Sequence, residues 1–350
     1  MRIAVYSIAK NEEAFIERWR RSAAEADHVV LLDTGSSDQT AALAASLGVE
    51  VAVQRFDPWR FDVARNASLD LVPADVDMCI ALDVDEVLQP GWREALESVG
   101  PQITRPRYRY VWSWQPDGTE GLVYGGDKIH SRHGYRWRHP VHEVIQRLPD
   151  ASPEAQAWID LEIHHHPDHS KPRSQYLPLL ELAVREDPED DRNAFYYARE
   201  LFFNGRYDEA RREFLRHLSL PRARWGAERA ASARYLSRLG SDRESWLLRA
   251  AADAPGHREP WVDLAQLYYE EQRWAQCYGA AMRALEITER PLEYLSEAEA
   301  WGATPYDLAA VSAYRLGLRQ EALTHGLAAA QLAPDDARIS ENLRFYREST

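Results

Sequence analysis

The sequence predicts two folds in series: an α/β domain with a mostly parallel sheet over residues 1–169, and an all-α solenoid of helical hairpins over residues 170–350. Three observations predict this. The first hundred residues alternate short apolar runs with amphipathic stretches, and buried strands linked by helices form parallel sheets. From about Lys171 the pattern becomes helical, with small and aromatic residues recurring at intervals near 34, a period of helix–turn–helix repeats. Finally, 350 residues with 45% hydrophobic and 11% aromatic content suffice for two cores.

In chain order, residues 3–8 read as a core strand, followed by Lys10-Asn11-Glu12-Glu13 and a helix over about 14–24. Residues 28–32 form a second strand ending at Asp33-Thr34-Gly35-Ser36-Ser37-Asp38. Ser37 or Asp38 can cap a helix over 41–47. A short strand at 49–54 and a helix around 62–71 lead to the strand 78–82. In the second half, Tyr197, Ala198, Leu201, Gly205, Tyr207, Ala210 and Phe214 have the spacing of a tetratricopeptide pair, and Trp261, Leu264, Ala265, Tyr268, Cys277, Ala281 and Ala284 repeat it. Arg243, Leu247, Ala250 and Pro255 fit a degenerate copy, with Ala210, Arg243 and Cys277 as equivalents. A last pair holds Leu308, Ala313, Ala322 and Ala329, after an irregular insertion near 291–305; residues 335–346 read as a capping helix.

The strand 78–82 runs into Ala81-Leu82-Asp83-Val84-Asp85-Glu86. Side chains alternate along a strand, so Asp83 and Asp85 leave one face together. Paired carboxylates suit a hard divalent cation that also takes phosphate oxygens. The loops at Lys10-Asn11-Glu12, Asp33-Thr34-Gly35-Ser36 and Asp83-Val84-Asp85-Glu86 all lie at strand carboxyl ends, where open α/β sheets bind ligands. Phe61-Asp62-Val63-Ala64-Arg65-Asn66 adds a cation. Neither the Gly-x-Gly-x-x-Gly fingerprint nor the Gly-x4-Gly-Lys-Ser/Thr loop is present. The net charge of −14 argues against broad nucleic-acid affinity. Two cysteines, Cys79 and Cys277, sit in apolar patterns, and no apolar run is long enough to span a membrane, so a cytoplasmic location is expected.

The strings IAKNEEAFIERWRRSAAEADHVVLLDTGSSDQT, FDVARNASLDLV and ALDVDE resemble the inverting family-2 glycosyltransferases of GT-A fold, over roughly residues 1–92. The continuation into HPVHEVI, IHHHPDHSKPR and a repeat-bearing tail resembles the SunS-like S-glycosyltransferase subgroup. The resemblance implies transfer from a nucleotide sugar of the UDP-sugar class, with Mn²⁺ or Mg²⁺. It places Ser7, Lys10, Glu12, Asp33, Arg65 and Asp83 on the donor, with Asp33 at the base and Arg65 near base or diphosphate. It gives Asp85 and Asp83 to the metal, together with a histidine for which His165 is favoured over His164 and His166. Glu143, flanked by Trp137, His139 and His142, is the expected catalytic base.

Between residues 101 and 142 the charge reverses, with seven Arg or Lys against three acids and aromatics interleaved. Arg107, Arg109, Trp112, Trp137 and His142 are therefore acceptor-site candidates, although RPRYRYVWSW also alternates as a plain hairpin would. Two macromolecular acceptors fit this composition, a peptide or protein side chain or a hydroxymethylated DNA base, and a cell-envelope saccharide is a third possibility. The repeats would position the acceptor or form a homodimer. Competing readings are a scaffold with a degenerate transferase domain, and a nucleotidyltransferase.

Overall fold

The computed structural model describes residues 1–167 and 176–348; the domain edge expected at 169/170 and His169 of the histidine cluster lie outside the described residues. The chain divides into two compact units, Met1–Glu186 and Asp187–Thr350.

In the first unit, β1 (Ile3–Ala9), α1 (Glu13–Ser22), β2 (His28–Asp33), α2 (Thr40–Ser46), β3 (Glu50–Val53), α3 (Phe61–Leu71) and β4 (Met78–Ala81) follow the expected alternation. Then come β5 (Glu86–Leu88), α4 (Trp92–Glu97), β6 (Arg105–Val111), β7 (Val123–Gly126), β8 (Ile129–Ser131), β9 (Tyr135–Arg138), β10 (Val144–Arg147), β11 (Gln156–His165) and α5 (Tyr176–Glu186). The main sheet has the order β3-β2-β1-β4-β8. Its β1, β2, β3 and β4 pair in parallel, and β8 closes the edge antiparallel to β4. Both faces are covered, which is why the strands read as continuous apolar runs. Ile3 and Val5 pack with Ile16, Trp19 and Leu31, while Ala4 and Tyr6 pack with Leu69 and Trp137 on the opposite side.

A second sheet, β5-β11-β6-β7, lies beyond β4 in the chain. In β6 the alternation sends Tyr108 and Tyr110 into the core, 1% and 2% exposed, and leaves the arginines on the other face. Helix α5 belongs to the first unit, although the sequence assigned it to the repeats. Tyr176 meets the rings of Phe61 and His142, and Glu186 pairs with Arg60 at 2.5 Å.

The second unit stacks α6 (Asp191–Phe203) with α7 (Tyr207–Ser219), α8 (Gly226–Arg238) with α9 (Arg243–Asp253), and α10 (Glu259–Glu270) with α11 (Trp274–Leu285). The turn α12 (Ala298–Trp301) interrupts the series before α13 (Thr304–Arg315), α14 (Arg319–Leu332) and α15 (Ala337–Glu348). Three of the within-pair turns carry a left-handed residue, at Gly205, Gln272 and Gly317, the conformation that ends a helix abruptly. One equivalence fails: Arg243 is the first residue of α9 and pairs with Glu270 at the surface. Leu247, 2% exposed, takes the buried place corresponding to Ala210 and Cys277, so this copy is out of step with a strict 34-residue period. No described helix is long and apolar enough to cross a membrane.

Candidate functional site

The strand order places a reversal between β1 and β4: successive strands run outward from β1 to β3, then the chain returns to the far side of β1. Such a reversal opens a crevice at the strands' carboxyl ends. The sequence put its loops there, and the structure laces two of them together. The Asn11 backbone N–H donates to Ser36 Oγ at 2.9 Å, the Ser37 N–H to Asn11 Oδ1 at 2.8 Å, and the Glu12 N–H to Thr40 Oγ1 at 2.7 Å.

Asp33, the last residue of β2, is 2% exposed. Its Oδ1 accepts from the backbone N–H groups of Gly35 and Ser36, each at 2.8 Å. Its Oδ2 is buried and has no hydrogen-bond partner among the described residues. An acceptor buried this way costs stability unless something donates to it. Lys10 and Glu12 lie on the adjoining loop, Lys10 exposed. Ser7, another expected donor contact, is 1% exposed inside β1, and its hydroxyl donates to the neighbouring Ile8 carbonyl at 3.2 Å.

Arg65, on α3, organises the floor of the crevice and is 6% exposed. Its guanidinium pairs with Asp83 at 2.7 Å and with Glu143, and it lies over the Trp137 ring, 4.9 Å from the centroid. Lys128 Nζ sits 2.6 Å from Asp83 and 2.9 Å from Glu86. Glu86, 1% exposed, also accepts from Tyr110 Oη at 2.5 Å and from the Asp83 backbone N–H at 2.9 Å. Burial opposes ionisation of Asp83, but Arg65 and Lys128 outweigh it and hold the carboxyl well below the usual range. For Glu86 burial wins, and its pKa is raised. Beneath Arg65, Trp137 Nε1 donates to Tyr6 Oη at 2.8 Å, and Tyr6 Oη meets His130 Nε2 at 2.8 Å. The second His130 nitrogen donates to the Ser131 carbonyl at 2.8 Å, so Tyr6 donates to the neutral ring. Burial pushes His130 down to about 4.

Of the three consecutive histidines, His165 faces the acidic motif. Its Nε2 lies 3.3 Å from Asp85 Oδ2, and its Nδ1 donates to the Trp112 carbonyl at 2.9 Å. Trp112 stacks on the ring at 4.2 Å and 18°. Burial alone would lower the His165 pKa; the Asp85 carboxylate overrides it and raises it. His164 pairs instead with Glu162, and His166 stacks on Trp114 at 5.8 Å and 4°.

The basic candidates are spent elsewhere. Arg107 donates to the carbonyls of Gly125 and Gly126, each at 3.0 Å, and Arg109 pairs with Glu120 and Glu162. Trp137 is 2% exposed and packs in the core with Tyr6 and Leu69. His142 adopts φ +48 beside Glu143 and contacts the Tyr176 ring. Sequence reasoning did not single out Lys128, Glu86, Tyr6 or His130. Lys128 had one signal, its place directly after Gly125-Gly126-Asp127, where the glycines let the chain pass close to the rings of Trp158 and Tyr108.

The sequence model of glycosyl transferase family 2 matches residues 5–141. A glycosyltransferase of Rickettsia bellii (strain RML369-C) is 32% identical over 108 residues, 31% of this chain and 35% of its own length. The lipopolysaccharide core biosynthesis glycosyltransferase LpsC of Rhizobium meliloti (strain 1021) is 29% identical over 126 residues, 33% of this chain and 46% of its own. A TPR repeat-containing protein of Synechococcus elongatus is 24% identical over 318 residues, 81% of this chain and 75% of its own. The chain thus spans about a third and just under half of the two glycosyltransferases it matches.

Proposed function

With a family-2 glycosyltransferase domain followed by tetratricopeptide-like repeats as the premise, we propose that this chain catalyses metal-dependent, inverting transfer of a sugar from a nucleotide sugar, UDP-linked, to a peptide or protein side chain. The observations that carry the reading are the buried Asp33 Oδ2 at the carboxyl end of β2 and the Asp85–His165 pair beyond the carboxyl end of β4, on the same edge of the sheet as β1. Asp33 supplies an acceptor for a base N–H, where a donor would satisfy an otherwise unpaired buried oxygen.

The residues fit a divalent cation. With Nδ1 donating to a carbonyl, neutral His165 turns a lone pair toward the Asp85 carboxylate. Two acceptors facing at 3.3 Å need a proton or a cation between them. Among the described residues no group of three histidine, cysteine or carboxylate side chains is arranged to hold a metal ion. Asp85 and His165 would therefore hold it with help from phosphate oxygens, as hard cations commonly do. Asp83, pinned by Arg65 and Lys128, faces the ribose in this reading rather than the ion. When bound, the cation neutralises charge on the departing diphosphate.

The chain's own residues supply the rest. Arg65 Nε holds Glu143 by Oε1, which leaves Oε2 to take the acceptor proton as the acceptor attacks the anomeric carbon from the side opposite the diphosphate. Arg65 thus fixes the base and the ribose carboxylate in one rigid unit. A protein acceptor is favoured over DNA because Arg105, Arg107, Arg109, Lys128, Arg132 and Arg136 already engage acids or carbonyls within the fold.

The test is release of nucleoside diphosphate from a panel of nucleotide sugars, with Mn²⁺, Mg²⁺ or chelator, and with a peptide pool or hydroxymethylated DNA added. Metal-dependent release that peptides accelerate supports the reading. Acceleration by DNA alone, falling steeply with salt, would replace the acceptor. Pyrophosphate release from nucleoside triphosphates would point instead to a nucleotidyltransferase.

A further inference from the structure

The irregular stretch between α11 and α13 does not loop away into solvent. It lies across the first helices of three successive pairs, α6, α8 and α10. The Tyr294 ring stacks on Tyr196 of α6 at 5.9 Å and 14°, and its edge meets Trp225 at 5.5 Å. The Tyr294 hydroxyl donates to Glu228 of α8 at 2.5 Å; Glu228 is 3% exposed. Three residues on, the Glu297 carboxylate is gripped by the two terminal nitrogens of Arg234, at 2.8 and 2.9 Å. The Glu297 backbone N–H donates to Glu259 of α10 at 2.9 Å, and Glu293 pairs with His257 at 2.9 Å.

We propose that this face is a recognition site for an extended chain bearing a tyrosine three residues before a carboxylate, and that the segment around Tyr294–Glu297 is its built-in occupant, which an outside chain of the same chemistry must displace. The inference does not depend on the transferase reading. Two features support exchange rather than permanent closure. The receptor side is organised without the strap: Arg234, 6% exposed, is also fixed by Asp263 at 2.7 Å, and Arg192 and Arg199 lie over the Tyr196 ring. The strap itself is anchored at a few points, Tyr294, Ser296 and Glu297, and is otherwise irregular. Glu297 is 53% exposed, Leu292 is 48% exposed, and residues 286–296 contain no helix or strand. An irregular segment whose end carboxylate is half exposed opens at lower free-energy cost than the packed helices beneath it. A bidentate arginine–carboxylate pair and an aromatic stack supply directional recognition. The occupant that fits is therefore acidic and tyrosine-bearing.

The experiment uses the full-length protein and a fluorescent peptide copying residues 290–299, Arg-Pro-Leu-Glu-Tyr-Leu-Ser-Glu-Ala-Glu. The double variant Tyr294→Ala, Glu297→Ala vacates the face. It is expected to bind the peptide at least tenfold more tightly than the wild type, with Arg234→Met abolishing the gain. Equal affinity for wild type and double variant, or equal binding of a scrambled peptide, overturns the proposal. Should the variants fail to fold, hydrogen exchange on the wild type decides. Excess peptide must speed exchange across residues 287–297, and unchanged exchange overturns the proposal.

Discussion

His130 makes the first unit sensitive to acid in a way that can be worked from its surroundings. The ring is fully buried behind Arg65, accepting from Tyr6 and donating to Ser131, and its pKa falls from 6.5 to about 4. Unfolding returns it to 6.5, so between these values the unfolded chain binds a proton that the folded chain refuses. A depressed base of this kind contributes stability that is complete above pH 6.5 and is lost as pH falls toward 4. From pH 7 to pH 5 the linkage relation gives a loss of about 2 kcal/mol. Protonation would also remove the acceptor for Tyr6, loosening Trp137 beneath Arg65. The assay is urea denaturation at pH 7 and pH 5 of wild type and His130→Gln, read by hydrogen exchange in β4 and β8 so that only the first unit reports. His217, in the second unit, is likewise lowered to about 4, so the comparison rests on the difference between the two proteins. The variant should lose about 2 kcal/mol less than the wild type on acidification. Equal losses would refute the reasoning.

Three further outcomes follow from the same geometry. Replacing Arg65 by Met leaves Glu143 and Asp83 without a shared partner; with Lys128 still on Asp83, denaturation should show a loss of about 2–4 kcal/mol. Asp33→Ala removes the buried acceptor, so calorimetry should find donor affinity reduced about tenfold, some 1.4 kcal/mol, with folding intact. Arg109→Ala breaks only half-exposed ion pairs, so stability should change by under about 1 kcal/mol and acceptor response should be unchanged.

Much of this arrangement was legible in the sequence because strand ends are. Continuous apolar runs located β1, β2 and β4, and the polar residues that follow each run had to meet at one edge of a parallel sheet. His165 was favoured among three histidines but not isolated, since neighbouring residues on a strand alternate in direction and sequence does not say which face the sheet buries. The arginines of β6 misled for a related reason. Alternation predicts that they share a face, but their partners, the carbonyls of β7 and Glu162 of β11, come from strands distant in sequence. Lys128 and His130 escaped because their roles arise from β8 pairing with β4 across a gap that no local pattern encodes. In the repeats, small buried residues gave the period, while Arg243 was misplaced because one copy departs from it.

The central claim is that the crevice between β1 and β4 holds a nucleotide through Asp33 and a cation through Asp85 and His165. The direct measurement is calorimetric titration of uridine diphosphate into wild type, Asp85→Ala and His165→Ala, each with Mn²⁺ and with chelator. The account predicts that Mn²⁺ strengthens binding to the wild type at least tenfold and that either substitution removes most of that gain. Binding of equal strength with metal and with chelator in all three proteins would contradict it.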